Sequence, residues 1–291
     1  MRQRRLNIGL ICAVGCLLGG IVTSSAWAGE PDIVRCTNVQ VANTGEYNED
    51  LCHEKGGSKL YVETEGDGIA KGGGIECVLV RHRGNGQFNN STCTEPGGSK
   101  NYIEVLLRPK FTGISGPTTL KAGTVATTAC TAASSKGELI GAPTIGKLVV
   151  TFTGCETEGN KKRCTAKSVG ASVGTVVTNA LKGTVGTAKA SSTGVGLLLE
   201  PESGGVFTTL AETACSIETS VEGGIIGDVK PVGVLSTTGK LNYASVGGKQ
   251  AIKKITVAGV EKEKVLKAFG LVEVVEEVAD ELAFEEGVEI T

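Results

Sequence analysis

Gly170-Ala171-Ser172-Val173-Gly174 has the Gly-x-Ser-x-Gly spacing of a hydrolase nucleophile elbow. In that device a strained strand-to-helix turn lifts the serine above a sheet, and a histidine takes its proton. Neither requirement is met in the surrounding sequence. From Thr175 onward the residues are β-branched and interrupted by glycine, which is a strand pattern. The chain has two histidines, His53 and His82, and both precede Ser172, so the order serine, acid, histidine is impossible. A rearranged triad would have to draw its histidine from a distant part of the chain. Ser172 reads as a glycine-flanked turn serine.

Other chemistry is equally thin. Gly56-Gly57-Ser58-Lys59 and Gly97-Gly98-Ser99-Lys100 lack the upstream glycine of a phosphate loop. Each leads into a β-type segment where a phosphate loop needs a helix. No Cys-x2-Cys or His-Glu-x-x-His spacing is present to hold zinc. Paired carboxylates for glycoside hydrolysis meet in three dimensions and cannot be read from spacing. However, Trp27 is the lone tryptophan, and four Tyr plus six Phe are few for a cleft that stacks sugar rings. The expectation is no catalytic residue, no cofactor and no metal.

The first residues carry an address. Arg2, Arg4 and Arg5 precede an uncharged, mostly apolar run, Leu6 to Val22, and Ala26-Trp27-Ala28 is a small-x-small cleavage pattern. A signal peptide over 1–28 is expected, with Gly29 as the new first residue. A retained anchor or a lipid on Cys16 is the alternative. Without the leader, the charge balance becomes 26 basic against 31 acidic residues, a net of −5. That balance opposes nucleic-acid binding, which needs a basic surface.

Eight cysteines follow the leader: Cys36, Cys52, Cys77, Cys93, Cys130, Cys155, Cys164 and Cys215. An even number in an exported chain reads as disulfides. A duplication narrows the pairing. At an offset of 41, twelve of the 28 positions from Cys36 to Glu63 match those from Cys77 to Glu104. The matches include both cysteines, Gly45 with Gly86, Asn48 with Asn89, and Tyr61 with Tyr102, while Tyr47 meets Phe88. The loop charges differ, Glu49-Asp50 against Asn90-Ser91, which opposes a shared calcium site. Each unit reads as a hairpin closed by its own disulfide, Cys36–Cys52 and Cys77–Cys93. Closing a loop of about 15 residues contributes roughly 3 kcal/mol in the chain-entropy account. Tyr61 and Tyr102 read as apolar plugs of these hairpins.

From Thr118 to about Ala244, short β-branched runs alternate with glycine turns, as in a sandwich or barrel. Cys155 and Cys164 bracket a charged loop and read as a hairpin staple, which leaves Cys130 and Cys215 as a long-range bridge. The tail from Val272 to Thr291 carries eight acidic residues and no basic one. Leu271, Val275, Val278 and Leu282 have helical spacing, whereas Leu282, Phe284, Val288 and Ile290 suit terminal strands. Its charges read as a solvated acidic surface, with calcium or a cationic partner as the minority reading. The expected fold is all-β: an antiparallel β-sandwich or barrel-like domain, preceded by two small disulfide-stapled hairpin units. The divisions are 1–28 signal peptide, 29–70 and 71–110 hairpin units, 111–245 β domain, and 246–291 acidic segment.

Val149-Val150-Thr151-Phe152-Thr153-Gly154-Cys155-Glu156, Cys164, and Gly174 to Gly183 resemble segments of a group of uncharacterised exported proteins of soil bacteria. These are cysteine-paired, Gly/Thr-rich β proteins. The resemblance runs from about Thr118 to the C-terminus and implies no activity, cofactor or site residue. The functional expectation is an exported, non-catalytic β protein of the cell envelope or extracellular space, binding a surface or envelope partner or serving structurally. It would keep no stable membrane span after cleavage. A secreted hydrolase with an unrecognised carboxylate site is the alternative. Intact-mass analysis of the exported protein should give a chain starting at Gly29. A retained leader, or a diacylglyceryl group on Cys16, would defeat the cleavage expectation.

Overall fold

The computed structural model describes residues 30–291 apart from 40–42, 50, 58, 60, 73–74, 107–108, 142, 160–161, 213–216 and 271. The expected leader and Cys215 therefore lie outside the described residues. All regular elements among the described residues are strands. The N-terminal units supply β1 (Ile33–Asn38), β2 (Tyr61–Gly72), β3 (Ile75–Val80) and β4 (Tyr102–Leu106). Next come β5 (Lys110–Ser115), β6 (Thr118–Ala122), β7 (Ala126–Cys130), β8 (Ala132–Gly141), β9 (Thr144–Thr153) and β10 (Glu156–Gly159). They are followed by β11 (Lys162–Lys167), β12 (Thr175–Val177), β13 (Leu181–Thr187), β14 (Val195–Pro201), β15 (Val206–Glu212) and β16 (Ile217–Gly223). Then come β17 (Ile225–Lys230), β18 (Ser236–Tyr243), a small hairpin of β19 (Ser245–Val246) and β20 (Lys249–Gln250), and a second of β21 (Lys254–Val257) and β22 (Val260–Glu263). The chain ends with β23 (Leu266–Ala268) and the long β24 (Val272–Ile290).

Antiparallel pairing closes a barrel of eight strands, in the order β24-β5-β8-β9-β13-β14-β17-β18 and back to β24. Eight further ladders close a second circuit, β24-β6-β7-β10-β11-β15-β16-β23. The two circuits are the upper and lower halves of one tall wall. β5 continues into β6, β7 into β8, β9 into β10, β14 into β15, and β16 into β17, while β24 runs through both. Short breaks mark the waist between the halves: Gly116-Pro117, Thr131, Gly154-Cys155, the 202–205 turn, and Gly224. Closure leaves neither circuit with a free edge.

Alternation with a period of two fills the interior. One apolar core runs the length of the wall, from Phe111, Leu148, Leu199 and Leu241 above to Leu120, Leu210, Val221 and Val274 below. Glycines make room for the large side chains: a Cβ on Gly137 would lie 2.5 Å from the ring of Phe111. One on Gly227 would collide with Leu241 and press on Tyr243. The outer face of the upper half carries exposed Lys110, Lys136, Lys182, Lys240 and Glu281. Apolar inside and charged outside is the reverse of a lipid-facing barrel.

The two N-terminal units have matching local geometry. Gly45 N donates to Lys59 O at 2.9 Å, and Gly86 N to Lys100 O at 2.7 Å. Tyr47 N donates to Tyr61 O, and Phe88 N to Tyr102 O, both at 2.9 Å. A Cβ on Gly45 would sit 2.6 Å from Tyr61 O, and one on Gly86 2.5 Å from Tyr102 O. That close approach explains why both copies keep glycine there. Val39, Val62, Val78, Val80, Ile103 and Val105 form one small core contributed by both units. The units attach to the barrel through β1, which pairs with the last residues of β24, Ile33 opposite Ile290.

Cys36–Cys52 and Cys77–Cys93 are bonded within units, as expected. The third bond corrects the sequence reading: Cys155 pairs with Cys130, so neither the Cys155–Cys164 staple nor the Cys130–Cys215 bridge forms. Strand register is the reason. β10 pairs with β7 with Glu156 opposite Ala129, which sets the preceding Cys155 beside Cys130 at the waist. On its other side β10 places Cys164 opposite Thr157, two residues beyond Cys155. Cys164 is nevertheless disulfide-bonded. With six of the other post-leader cysteines bonded among themselves, Cys215 is its expected partner. Non-reducing tryptic mapping should therefore link Ala122–Lys136 to Leu148–Lys161, and Cys164 to the peptide holding Cys215. A Cys155–Cys164 species as the dominant product would contradict this register.

Candidate functional site

The tail reads as alternating inward and outward positions once it is a strand, and this separates its acids. Outward Glu277 and Glu281 pair with Lys121 at 2.9 Å and Lys240 at 3.3 Å, and Glu273 pairs with Lys253 at 2.6 Å. Exposed pairs of this kind contribute about 0–1 kcal/mol each. Glu289 meets Arg81 at 2.9 Å, and Glu286 meets Arg35 at 2.6 Å where β1 docks. Glu276 and Asp280 instead point inward with Val278, Leu282 and Phe284. The helical reading of the tail is thereby corrected, and the solvated-surface reading holds for the outward acids alone. A period of two across 276–284 was the signal that could have found the inner pair. The helical spacing of the neighbouring aliphatics concealed it.

Glu276 lies at the waist, opposite Leu120 of β6, and Asp280 lies four residues higher, two repeats of the pleat, between Ser115 of β5 and Leu241 of β18. Tyr243, two residues further along β18, is opposite Val278 and so reaches the same level. Glu276 is 5% exposed and Tyr243 is 5% exposed. The backbone here is anchored by the strap at β20. Glu276 N donates to Gln250 Oε1 at 3.1 Å, and Gln250 Nε2 donates to Ala244 O at 3.2 Å. The cavity bordered by Glu276, Asp280, Tyr243 and Ser135 measures about 50 Å³ and is otherwise lined by aliphatic and aromatic side chains. The space inside the lower half is about 20 Å³.

Burial dominates the electrostatics. It pushes the Glu276 carboxyl up to about 8, with the neighbouring Asp280 charge adding to the shift. Burial likewise raises Asp280 to about 6, against a small opposing effect of the Ser115 hydroxyl. That hydroxyl completes no hydrogen bond of good geometry. The Tyr243 phenol is held well above its ordinary value by burial and by both acids. No Lys, Arg or His lines the cavity. Inside a mostly apolar barrel, a buried acid without a basic partner keeps its proton because the charged form loses its hydration.

The residues singled out in the sequence are elsewhere. Ser172 is exposed in the turn joining β11 to β12, and its carbonyl accepts from Thr175 N at 3.0 Å. A strand follows it, not a helix. His53 and His82 are exposed and lie near Glu49 at 3.8 Å and Glu63 at 3.3 Å. Tyr61, with Tyr47 and Leu235, packs around the Cys36–Cys52 disulfide, a plug as expected. Tyr102 bridges to Phe88 in the second unit. Among the described residues, no group of three or more His, Cys, Asp or Glu is placed to hold a metal ion. Comparison with protein-family models, curated proteins and solved structures finds no match.

The inner pair predicts a pH dependence. Glu276 binds its proton more tightly folded than unfolded, so between 4.5 and about 8 the folded chain holds more protons. Stability from this group is full below the unfolded value and is lost as pH rises through the folded one. Glu276→Gln keeps the size and removes the titration. In urea unfolding, the variant should match the wild type near pH 4.5 and exceed it by about 3 kcal/mol at pH 7. Parallel pH profiles for the two proteins would contradict the assignment.

Proposed function

We propose that the protein is an exported, non-catalytic β module of the cell envelope or extracellular space, working as a binding or structural element through its outer surface. The observation that carries this reading is the tightly filled interior. The inner groups with shifted pKa values face a cavity of about 50 Å³, which leaves no room for a substrate beside them. Ligand sites in enzymes and receptors commonly measure about 300–1,000 Å³. Three disulfides fit an oxidising compartment outside the cytoplasm. Among the described residues, no helix is long and apolar enough to cross a membrane. The acidic balance after leader removal continues to oppose a nucleic-acid partner.

A secreted hydrolase is the second reading, and one observation favours it: two carboxyls with raised pKa converge on one cavity. Fractionation and a substrate panel separate the readings. The oxidised protein should be found in the envelope or the medium, and should turn over no ester, glycoside or peptide probe. Ser172 should resist a fluorophosphonate probe. A reduced cytoplasmic protein would overturn the export reading. Turnover abolished by Glu276→Gln or Asp280→Asn would establish the hydrolase.

A further inference from the structure

We infer that the groove between the strap and the end of β13 is a docking site for a phosphodiester-linked polyol polymer of the cell envelope, its phosphates held by Lys189, Lys249, Lys253 and Lys254. The inference rests on the export reading above and names the partner. Charge is the first observation. After leader removal the chain carries a net of −5, yet segment 244–264 has five lysines against two glutamates. Three of these lysines and Lys189 line one groove of about 500 Å³, with Glu261 and Glu263 as its acids. Ordinary ligand sites measure about 300–1,000 Å³.

The lysines meet in two pairs. Lys254 Nζ lies 2.8 Å from Glu261 Oε1, and this bond, with the Lys189 charge, holds the Glu261 carboxyl below its ordinary value. Strand register brings the two lysines together: Thr187 is opposite Thr256, which runs Lys189 towards Lys254. Lys253 Nζ lies 2.6 Å from Glu273 Oε1. Burial raises the Glu273 carboxyl, but Lys253, the Gln250 amide and the Lys249 charge bring it below the usual range. Lys189 and Lys249 make no ion pair of their own among the described residues. The groove has fixed walls. Ile252 and Ile255 anchor the strap in a small core with Ala188, Leu198 and Ile226, on the face of β14 and β17 opposite the barrel core. A Cβ on Gly186 would strike Thr256 O, so glycine admits the strap to this distance.

The lining selects the chemistry of the partner. Among the described residues, no arginine and no aromatic side chain lines the groove. A planar carboxylate is matched by the guanidinium fork, whereas lysine serves tetrahedral phosphate as a point charge. Four lysines against two glutamates leave two surplus positive charges, which suit two successive phosphodiesters. Thr187 and Thr256 line the same groove and offer hydroxyls to the polyol between them. Without an aromatic platform for stacked bases, the groove does not suit a single-stranded nucleic acid.

Calorimetric titration of the full mature protein with soluble poly(glycerol phosphate) tests this, beside dextran, polygalacturonate and oligothymidylate. Saturable binding of poly(glycerol phosphate) is expected, weakening as salt screens the lysines. Dextran should not bind, and polygalacturonate and oligothymidylate should bind at least tenfold more weakly. Lys189→Glu with Lys249→Glu should weaken binding at least tenfold. Lys110→Glu with Lys136→Glu, exposed elsewhere on the outer face, should leave it unchanged. Circular dichroism checks the fold of both double variants. No saturable binding of poly(glycerol phosphate) would overturn the inference and leave the export reading to the fractionation above. Equal loss in both double variants would overturn the site, since general charge would then explain the binding. Equal affinity for polygalacturonate or oligothymidylate would overturn the polyol phosphate as partner. Should the groove variant fail to fold, Lys189→Gln with Lys249→Gln replaces it, with a loss of at least threefold expected.

Discussion

The fold depends on the pairing of one strand. β24 meets β6, β5 and β1 in succession along one edge, and β23 and β18 along the other. It is the closing stave of both circuits. Neither half can close on local contacts, because β24 pairs with β5 and β6, which begin at Lys110 and Thr118. Non-local closure of this kind is slow, since loop entropy is lost before the contacts that reward it can form.

The waist concentrates the constraints that follow. The staves change direction there at Gly116-Pro117, Thr131, Gly154-Cys155 and Gly224. Cys130–Cys155 ties two neighbouring breaks, so the bend between β7 and β8 is locked to the bend between β9 and β10. The same level holds the buried acids and Tyr243, where the aliphatic packing of the two halves meets.

Much of this architecture was legible, and the limits have physical causes. Cysteine spacing and the 41-residue offset disclosed the paired units, because a hairpin closed by its own bond is specified locally. Gly45 and Gly86 recurred because a Cβ there would strike a carbonyl. Cys130–Cys155 was hidden because it follows from the register of β7 against β10, and register is a long-range property. The tail was ambiguous because its aliphatics satisfy a helical period and a strand period together. Closure of the wall decided between them. The inner acids were missed for the same reason, since Glu276 and Asp280 are indistinguishable from Glu277 and Glu281 until the facing is known.

Asp32 and Thr291 are hydrogen-bonded to each other through their backbones. Asp32 N donates to Thr291 O at 3.3 Å, and Thr291 N to Asp32 O at 3.0 Å. Beyond them β1 and β24 run antiparallel. Tension applied between Asp32 and Thr291 would load this ladder as a zip, one bond after another, and never in shear. β1 would peel first, carrying the N-terminal units away. The ladders that close the barrel lie outside that first line of force, so a molecule held at these two residues would lengthen before its core opened.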